Sequence, residues 1–249
     1  MHAAISTLSV RQTLRGSLPF LKEFVSKHWI LVTIYCCLAV ISHLIFDPEQ
    51  GKSGQLFLNW KFYLWWIIVC VPSWLIMYYA IKMSLTKLAP DLQSNKPFLQ
   101  FLWQIICLDI LRFVIIFGLS LLLLIPAIWW LTKTSICSVV LLSAENGPIQ
   151  SIIKSHELIN NKFWLCFKYW FGAFTIVILC VDVPLLVLVG IYAICMYTTG
   201  HGLSAQSFGH IFNLLNSGVG VFMQIVLLFC ETWLYVYLKQ NNTVSATTA

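Results

Sequence analysis

The sequence predicts an all-α, polytopic membrane protein with about six transmembrane helices and amphipathic helices at the membrane surface. Of its 249 residues, 59% are hydrophobic and 10% are charged, whereas soluble domains carry about 25% charged residues. The apolar residues gather into runs close to the roughly 20 residues that a helix needs to cross a bilayer. No polar stretch between these runs is long enough for a soluble domain, so we expect one membrane domain.

Residues 1–28 form the first element, a basic amphipathic segment that precedes the first span. Its apolar residues recur at spacings of three and four, as on one face of a helix; they are Leu14, Leu18, Leu21 and Val25. We therefore expect an interfacial helix. A cleavable signal peptide is disfavoured because the apolar run that follows is too long for one.

Six apolar runs predict the membrane domain, residues 29–239. The runs cover about 29–46, 62–81, 101–125, 127–143, 163–197 and 214–238. Pro72 and Pro184 interrupt the second and fifth runs, and broken helices at corresponding positions of two halves are typical of transporters. Residues 240–249 are polar and predict a disordered tail.

Basic residues predict the orientation. Ten Lys and Arg fall in the N-terminus, the loops 82–100 and 144–162, and the C-terminus, against two in the loop 47–61. Because cytoplasmic segments carry the excess of Lys and Arg, we expect both termini in the cytoplasm and the loops 47–61 and 198–213 outside. The basic residues lie beside apolar segments, which indicates contact with lipid head groups rather than with nucleic acid.

A short amphipathic helix is predicted at about 148–160. Gly147-Pro148 is a helix start, since proline at the first helical position loses no needed hydrogen bond. Isoleucines and His156 then share one predicted face, and polar residues share another. The segment is too short to span, so we expect it to lie flat at the cytoplasmic surface, with Trp164 at the interface where the fifth span begins.

This central pattern resembles the YciC-like bacterial six-helix membrane proteins and the membrane domain of some glycerophosphodiester phosphodiesterases. The matching positions are Pro126, Lys133, Glu145, Gly147, Pro148, Ser155, Leu158, Phe163 and Trp164. Ser151 and Asn161 depart from it, where the family often has Ala and Gly. The resemblance implies a bacterial inner-membrane location. It implies no established activity, because the phosphodiesterase domain is absent.

Six ionisable residues inside the predicted spans are candidate functional residues, because charges in a membrane are costly. They are Asp109, Arg112, Lys133, Lys168, Asp182 and Glu231. Three acids match three bases, so we expect a buried group of ion pairs. In it, Arg112 and Lys133 pair with Asp109, and Lys168 pairs with Glu231. Such a group serves either to join the helices or to bind a substrate, and the sequence leaves both interpretations open.

The sequence offers no clear catalytic, metal or cofactor site. His156 and Glu157 are adjacent, and adjacent helix positions point in different directions, so we expect a structural role for them. His201 and His210 have no Cys or carboxylate partners nearby in the sequence. The nine cysteines all lie in apolar runs, which favours helix packing over disulfides.

Three functions follow from these patterns. The first is a non-enzymatic role in membrane or envelope homeostasis, through membrane lipids, a membrane protein partner or a homo-oligomer. The alternative is a small-solute or lipid transporter that uses the buried charges. The third is a membrane-bound lipid-modifying enzyme. A core closed by salt bridges would favour the first function, and a polar cavity would favour transport or catalysis.

Overall fold

The computed structural model describes residues 8–45, 60–122, 124–143, 147–198 and 205–247. Eight α-helices make up almost all of these ranges, with a short 3-10 turn at Pro90–Leu92. The helices are α1 (Val10–Ile45), α2 (Trp60–Leu88), α3 (Phe98–Leu122), α4 (Leu124–Thr134), α5 (Cys137–Ser143), α6 (Pro148–Asn160), α7 (Phe163–Thr198) and α8 (Ala205–Thr247). The predicted all-α class is confirmed.

Four stretches are long and apolar enough to cross a membrane, as expected of a polytopic membrane protein. They are Phe98–Ser120, Ile125–Ser143, Phe163–Cys195 and Val219–Asn242. The first two predicted spans lie within α1 and α2, where many side chains fall outside the described part of the chain. The count of six spans therefore stays a prediction.

Helix α1 bends at His28, where the backbone leaves helical geometry (φ −122°, ψ 28°). The bend lies at the predicted end of the N-terminal segment. That segment packs against α8, with the rings of Phe20 and Phe229 4.7 Å apart. Its buried residues are Thr13, Ser17, Phe20 and Phe24, whereas Leu18 is 66% exposed. Leu14, Leu21 and Val25 of the predicted face are half-buried against the core, so that face is confirmed except at Leu18, and aromatic and small polar residues extend it.

The predicted fourth span is two helices, α4 and α5, separated by a turn at Ser135 and Ile136. Hydroxyl groups in α4 and the turn bond back to carbonyls of the preceding turn of helix. Ser135 Oγ donates to the Thr132 carbonyl at 2.9 Å, and Thr134 Oγ1 donates to the Trp130 carbonyl at 3.0 Å. These bonds satisfy carbonyls at the end of α4, where the helix is interrupted inside the bundle.

Helix α6 has the predicted bounds, with Gly147 as its N-cap and proline in its first turn. Its buried residues, however, are Ser151, Ile152, Ser155 and Ile159. Ile149 and Ile153, expected on the same face, are 65% and 51% exposed. The face is corrected because small serine side chains allow close approach to α4 and α5, and the two isoleucines remain available to lipid.

Helix α7 agrees with the predicted run 163–197 to within one residue, whereas α8 is longer than predicted. The 36 residues of α7 run through Pro184 without ending. Helix α8 begins at Ala205, inside the predicted loop 198–213, and continues to Thr247. The predicted disordered tail is therefore helical as far as Thr247, and the amide of Asn241 donates to the Tyr237 carbonyl at 2.9 Å within it.

Candidate functional site

A cavity of about 490 Å³ opens between α2, α3, α5, α7 and α8. Helix α7 contributes residues spaced four apart, and α8 contributes a stripe from Gly220 to Glu231 at spacings of three and four. One face of each long helix therefore forms the wall. The lining residues are Met77, Arg112, Ser138, Phe174, Ile178, Asp182, Gly220, Met223, Gln224, Leu227, Leu228 and Glu231.

Arg112 is the positive charge on this wall among the described residues. It attracts both Asp109, one turn earlier on α3, and Glu231 on α8. Neither acid forms an ion pair with it: the ion pairs in the described part of the chain involve Glu23 instead. The predicted ion pair of Arg112 with Asp109 is therefore corrected: the Arg112 guanidinium attracts Asp109 and Glu231 at longer range, without a direct contact between the described side chains.

Asp109 accepts a hydrogen bond from a residue of α2. The indole Nε1 of Trp74 donates a hydrogen bond of 3.1 Å to its carboxylate. Next to Trp74, Ser73 bonds to Gln224 on α8, whose amide nitrogen donates to the Ser73 hydroxyl at 3.1 Å. Both α2 residues follow Pro72 directly, so the turn of α2 after the proline supplies two polar contacts at the site.

Asp182 faces the same cavity from α7. Its Oδ1 atom is buried, and no hydrogen-bond donor reaches it from the residues that the structure describes. A buried carboxylate oxygen without a donor is costly, and such atoms are rare in folded proteins. Asp182 is therefore the acceptor on this wall whose hydrogen-bonding capacity is left unused within the described part of the chain.

Lys133 lies apart from the cavity, at the end of α4. Its side chain is 6% exposed, and its Nζ donates to Asn160 Oδ1 at 2.6 Å. The ammonium also lies 4.6 Å from the centre of the Trp129 ring. The predicted pairing of Lys133 with Asp109 is wrong, because the Lys133 ammonium binds the side-chain amide of Asn160 on α6 instead.

The other predicted site residues that the structure describes do not line the cavity. Lys168 is exposed on α7, so its predicted pairing with Glu231 is also wrong. Trp164 is 69% exposed, as an interfacial residue can be. His156 packs edge-on against Trp130, with ring centres 4.8 Å apart. Glu145 lies outside the described residues.

Sequence reasoning did not identify Ser73, Trp74, Ser138 or Gln224. The available signal was position: Ser73 and Trp74 follow the proline of the second span, and Gln224 is one α-helical spacing, seven residues, from Glu231. Inside the spans, the cost of a charge in a membrane indicates ionisable residues alone, and neutral hydrogen-bonding groups give no such signal.

Chemically, the wall suits a small positively charged group. Arg112 is already shared between Asp109 and Glu231, which leaves the Asp182 carboxylate in excess. Phe174 adds an aromatic ring, and rings attract cations through their faces. Within the described ranges, no group of three His, Cys, Asp or Glu side chains converges as a metal site requires.

Comparison with known proteins adds no relative: no protein family, curated protein or solved structure matches the chain.

Proposed function

We propose that the chain is a multi-pass transporter for a small organic cation, which binds in the cavity that Arg112, Asp182 and Glu231 line. The observation that carries the proposal is the buried Asp182 oxygen, which no donor reaches within the described ranges, on a wall where acids outnumber bases. A ligand with a cationic N–H group would supply both the missing donor and the missing charge.

The arrangement of charges supports transport over a purely structural role. A structural group would be expected to close on itself in salt bridges, since unpaired charge in a membrane is costly. Instead, the charges surround about 490 Å³ of open space. Pro184 lies two residues after Asp182, and prolines inside such helices give a place where the backbone can bend.

The setting of this transporter is part of the proposal. We place the chain in a bacterial inner membrane, with both termini in the cytoplasm. The support is the distribution of basic residues and the YciC-like pattern that includes Lys133, Gly147, Pro148 and Ser155. Within that pattern, the Ser155 hydroxyl donates to the backbone carbonyl of Lys133, which gives a physical reason for a hydroxyl side chain at position 155.

A non-enzymatic role in envelope homeostasis is the second candidate. The observation that favours it is the lipid-facing surface next to α6, where Ile149, Ile153 and Trp164 are all more than half exposed. Such a surface suits contact with lipids or with another membrane protein. This role would leave the cavity without a ligand, which separates it from the first candidate.

The test is uptake into proteoliposomes. Purified protein is reconstituted, and the uptake of radiolabelled guanidinium, a permanently charged cation with N–H donors, is measured against protein-free liposomes. We expect uptake by the wild type. Asp182→Asn should reduce it about tenfold or more, because hydrogen bonds to charged groups contribute about 1.5–3 kcal/mol.

Asp91→Asn is the matched control, since Asp91 is an exposed acid outside the membrane helices. It should transport guanidinium like the wild type. Uptake equal to that of protein-free liposomes would contradict the proposal. So would full activity in Asp182→Asn.

A further inference from the structure

A second cavity, of about 350 Å³, lies between α1 and α2 at the bend of α1. It is separate from the transport cavity and shares no residue with it. Its lining residues are Glu23, Lys27, His28, Tyr79, Lys82, Met83, Thr86 and Lys87.

The wall of this cavity is positively charged. Three lysines line it, whereas Glu23 is the acid among its lining residues, so two positive charges are in excess. Lys27 bonds to Glu23 at 2.9 Å, and Lys87 bonds to the other carboxylate oxygen. Hydrogen bonds from Lys87 and then Lys27 lower the pKa of Glu23, which keeps both ammonium groups beside it.

Lys82 is the lysine on this wall that lacks an acid partner among the described residues. Its Nζ lies 3.4 Å from the Tyr78 hydroxyl and 5.4 Å from the centre of the Tyr78 ring. Both contacts are long and weak, and neither compensates a full charge. An anion in the cavity would be the strongest partner available to this ammonium.

His28 and the bend of α1 form the rest of the wall. The imidazole stacks on Tyr79 from α2, with ring centres 4.7 Å apart, and also packs against Phe24, with ring centres 4.9 Å apart. Burial, and then the nearby Lys27, lower the pKa of His28. The ring is therefore neutral at pH 7 and brings a polar N–H group to the site without adding charge.

An apolar surface begins immediately after the bend. Trp29 is 60% exposed and Ile30 is 58% exposed, at the start of the predicted first span. A basic cavity that adjoins exposed apolar side chains offers one region for a charged head group and another for acyl chains. Tryptophan is also the residue that favours the head-group level of a bilayer.

We propose that this cavity binds a phosphate group, supplied either by the head group of an anionic phospholipid or by free phosphate. Lys82 and Lys87 hold the phosphate oxygens, and Glu23 sets the strength of binding by competing for Lys87 and Lys27. The proposal is independent of the transported substrate, because it uses different residues on different helices.

The experiment titrates detergent-solubilised protein with phosphatidylglycerol and follows the rise in melting temperature. Lys82→Gln should weaken binding about fivefold, and Lys82→Gln with Lys87→Gln about 25-fold, the effect expected of each surface lysine near an anionic head group. Glu23→Gln should strengthen binding, since it removes the competing carboxylate. A variant that merely folds poorly could not gain affinity in this way.

Arg11→Gln with Arg15→Gln is the matched control. It removes two positive charges from exposed positions of the same helix that do not line the cavity, and it should leave binding little changed. The same titration is repeated with phosphatidylcholine and with inorganic phosphate in place of phosphatidylglycerol. A response to inorganic phosphate that Lys82→Gln weakens identifies free phosphate as the source, and a response to phosphatidylglycerol alone identifies the lipid.

Two results would overturn the proposal. One is a control variant that loses as much affinity as Lys82→Gln with Lys87→Gln, which would mean general surface attraction. The other is weaker binding after Glu23→Gln, with an unchanged melting temperature in the absence of lipid.

Discussion

The hydroxyl of Ser155 donates a hydrogen bond of 2.6 Å to the backbone carbonyl of Lys133, where α4 ends inside the bundle. Asn160, on the same helix as Ser155, accepts a bond from the Lys133 ammonium at 2.6 Å. Helix α6 thus satisfies both the backbone and the side chain of one buried lysine. These two contacts fix the position of α6 against the interrupted fourth span.

Replacement of Ser155 by alanine tests this contact. We expect Ser155→Ala to lower the free energy of unfolding by about 1–3 kcal/mol, the cost of a buried polar group without a partner. Ser151→Ala is the control. Ser151 is also fully buried on α6, but its hydroxyl bonds to the Gly147 carbonyl, which the Ser151 amide already satisfies.

The measurement is the denaturation midpoint in detergent, followed by circular dichroism. Ser151→Ala should stay close to the wild type. Equal losses of stability in the two variants would mean that the hydrogen bond to the Lys133 carbonyl adds nothing to the free energy of unfolding beyond the packing of a serine side chain.

The Lys133–Asn160 pair predicts a non-additive effect. Asn160→Leu alone leaves a buried ammonium short of a partner, whereas Asn160→Leu combined with Lys133→Met removes the charge as well. We expect the double variant to melt at a higher temperature than Asn160→Leu alone, because an unpaired buried charge costs more than an apolar replacement of the pair. A double variant whose loss equals the sum of the two single losses would show that the two side chains are not coupled.

His156 predicts a pH dependence of stability. Burial, and then the nearby Lys133, lower its pKa below the ordinary value of 6.5. The unfolded chain therefore takes up a proton more readily than the folded one, and stability falls as pH drops below about 6.5 toward the lower folded pKa. Above pH 6.5 this contribution is fully present.

The check is the melting temperature between pH 7.5 and 5.5 in wild type and His156→Phe. Phenylalanine keeps the edge-on contact with Trp130 without titrating, so the variant should lose less stability on acidification. His28 also has a lowered pKa and leaves some pH dependence in both proteins. Identical pH profiles would argue against His156 as a titrating group in this range.

Local chemistry explains which parts of the fold could be predicted. The bounds of α6 follow from Gly147-Pro148, because a glycine N-cap and a proline in the first turn act within a few residues. The break between α4 and α5 has no glycine or proline to mark it. It depends on Thr134 and Ser135 bonding back along the helix and on Ser155, which is distant in sequence.

The buried faces were harder to predict, for a physical reason. The predicted faces of α1 and α6 group periodic apolar residues on one side of a helix that lies at the membrane surface. In a membrane, lipid accepts apolar side chains, so small and polar residues can turn inward instead. Ser151 and Ser155 are buried for this reason, while Ile149 and Ile153 are exposed.

The partners of the membrane charges could not be obtained from depth along each helix. Depth alone suggests Lys133 beside Asp109, but a helix also has a rotation, which sequence does not fix. In the structure, Lys133 meets Asn160, and Asp109 meets Trp74. The candidate site therefore includes Arg112, Asp182 and Glu231 as predicted members, joined by neutral residues that no charge count indicates.

Transport of a cation requires that the cavity beside Asp182 is open to water and favours cations, and cysteine accessibility measures both properties. In a chain with its native cysteines replaced, Gln224→Cys is modified with a cationic and an anionic thiosulfonate of similar size, both impermeant. We expect the cationic reagent to react at least about tenfold faster, since an acidic cleft concentrates cations by about 10–10³. Asp182→Asn should reduce that ratio.

Leu179→Cys is the control, because Leu179 is 54% exposed on α7 and does not line the cavity. Facing lipid, it should react slowly with both reagents. We expect fast, cation-selective modification at position 224 that depends on Asp182. No modification at position 224, or equal rates for the two reagents, would contradict it.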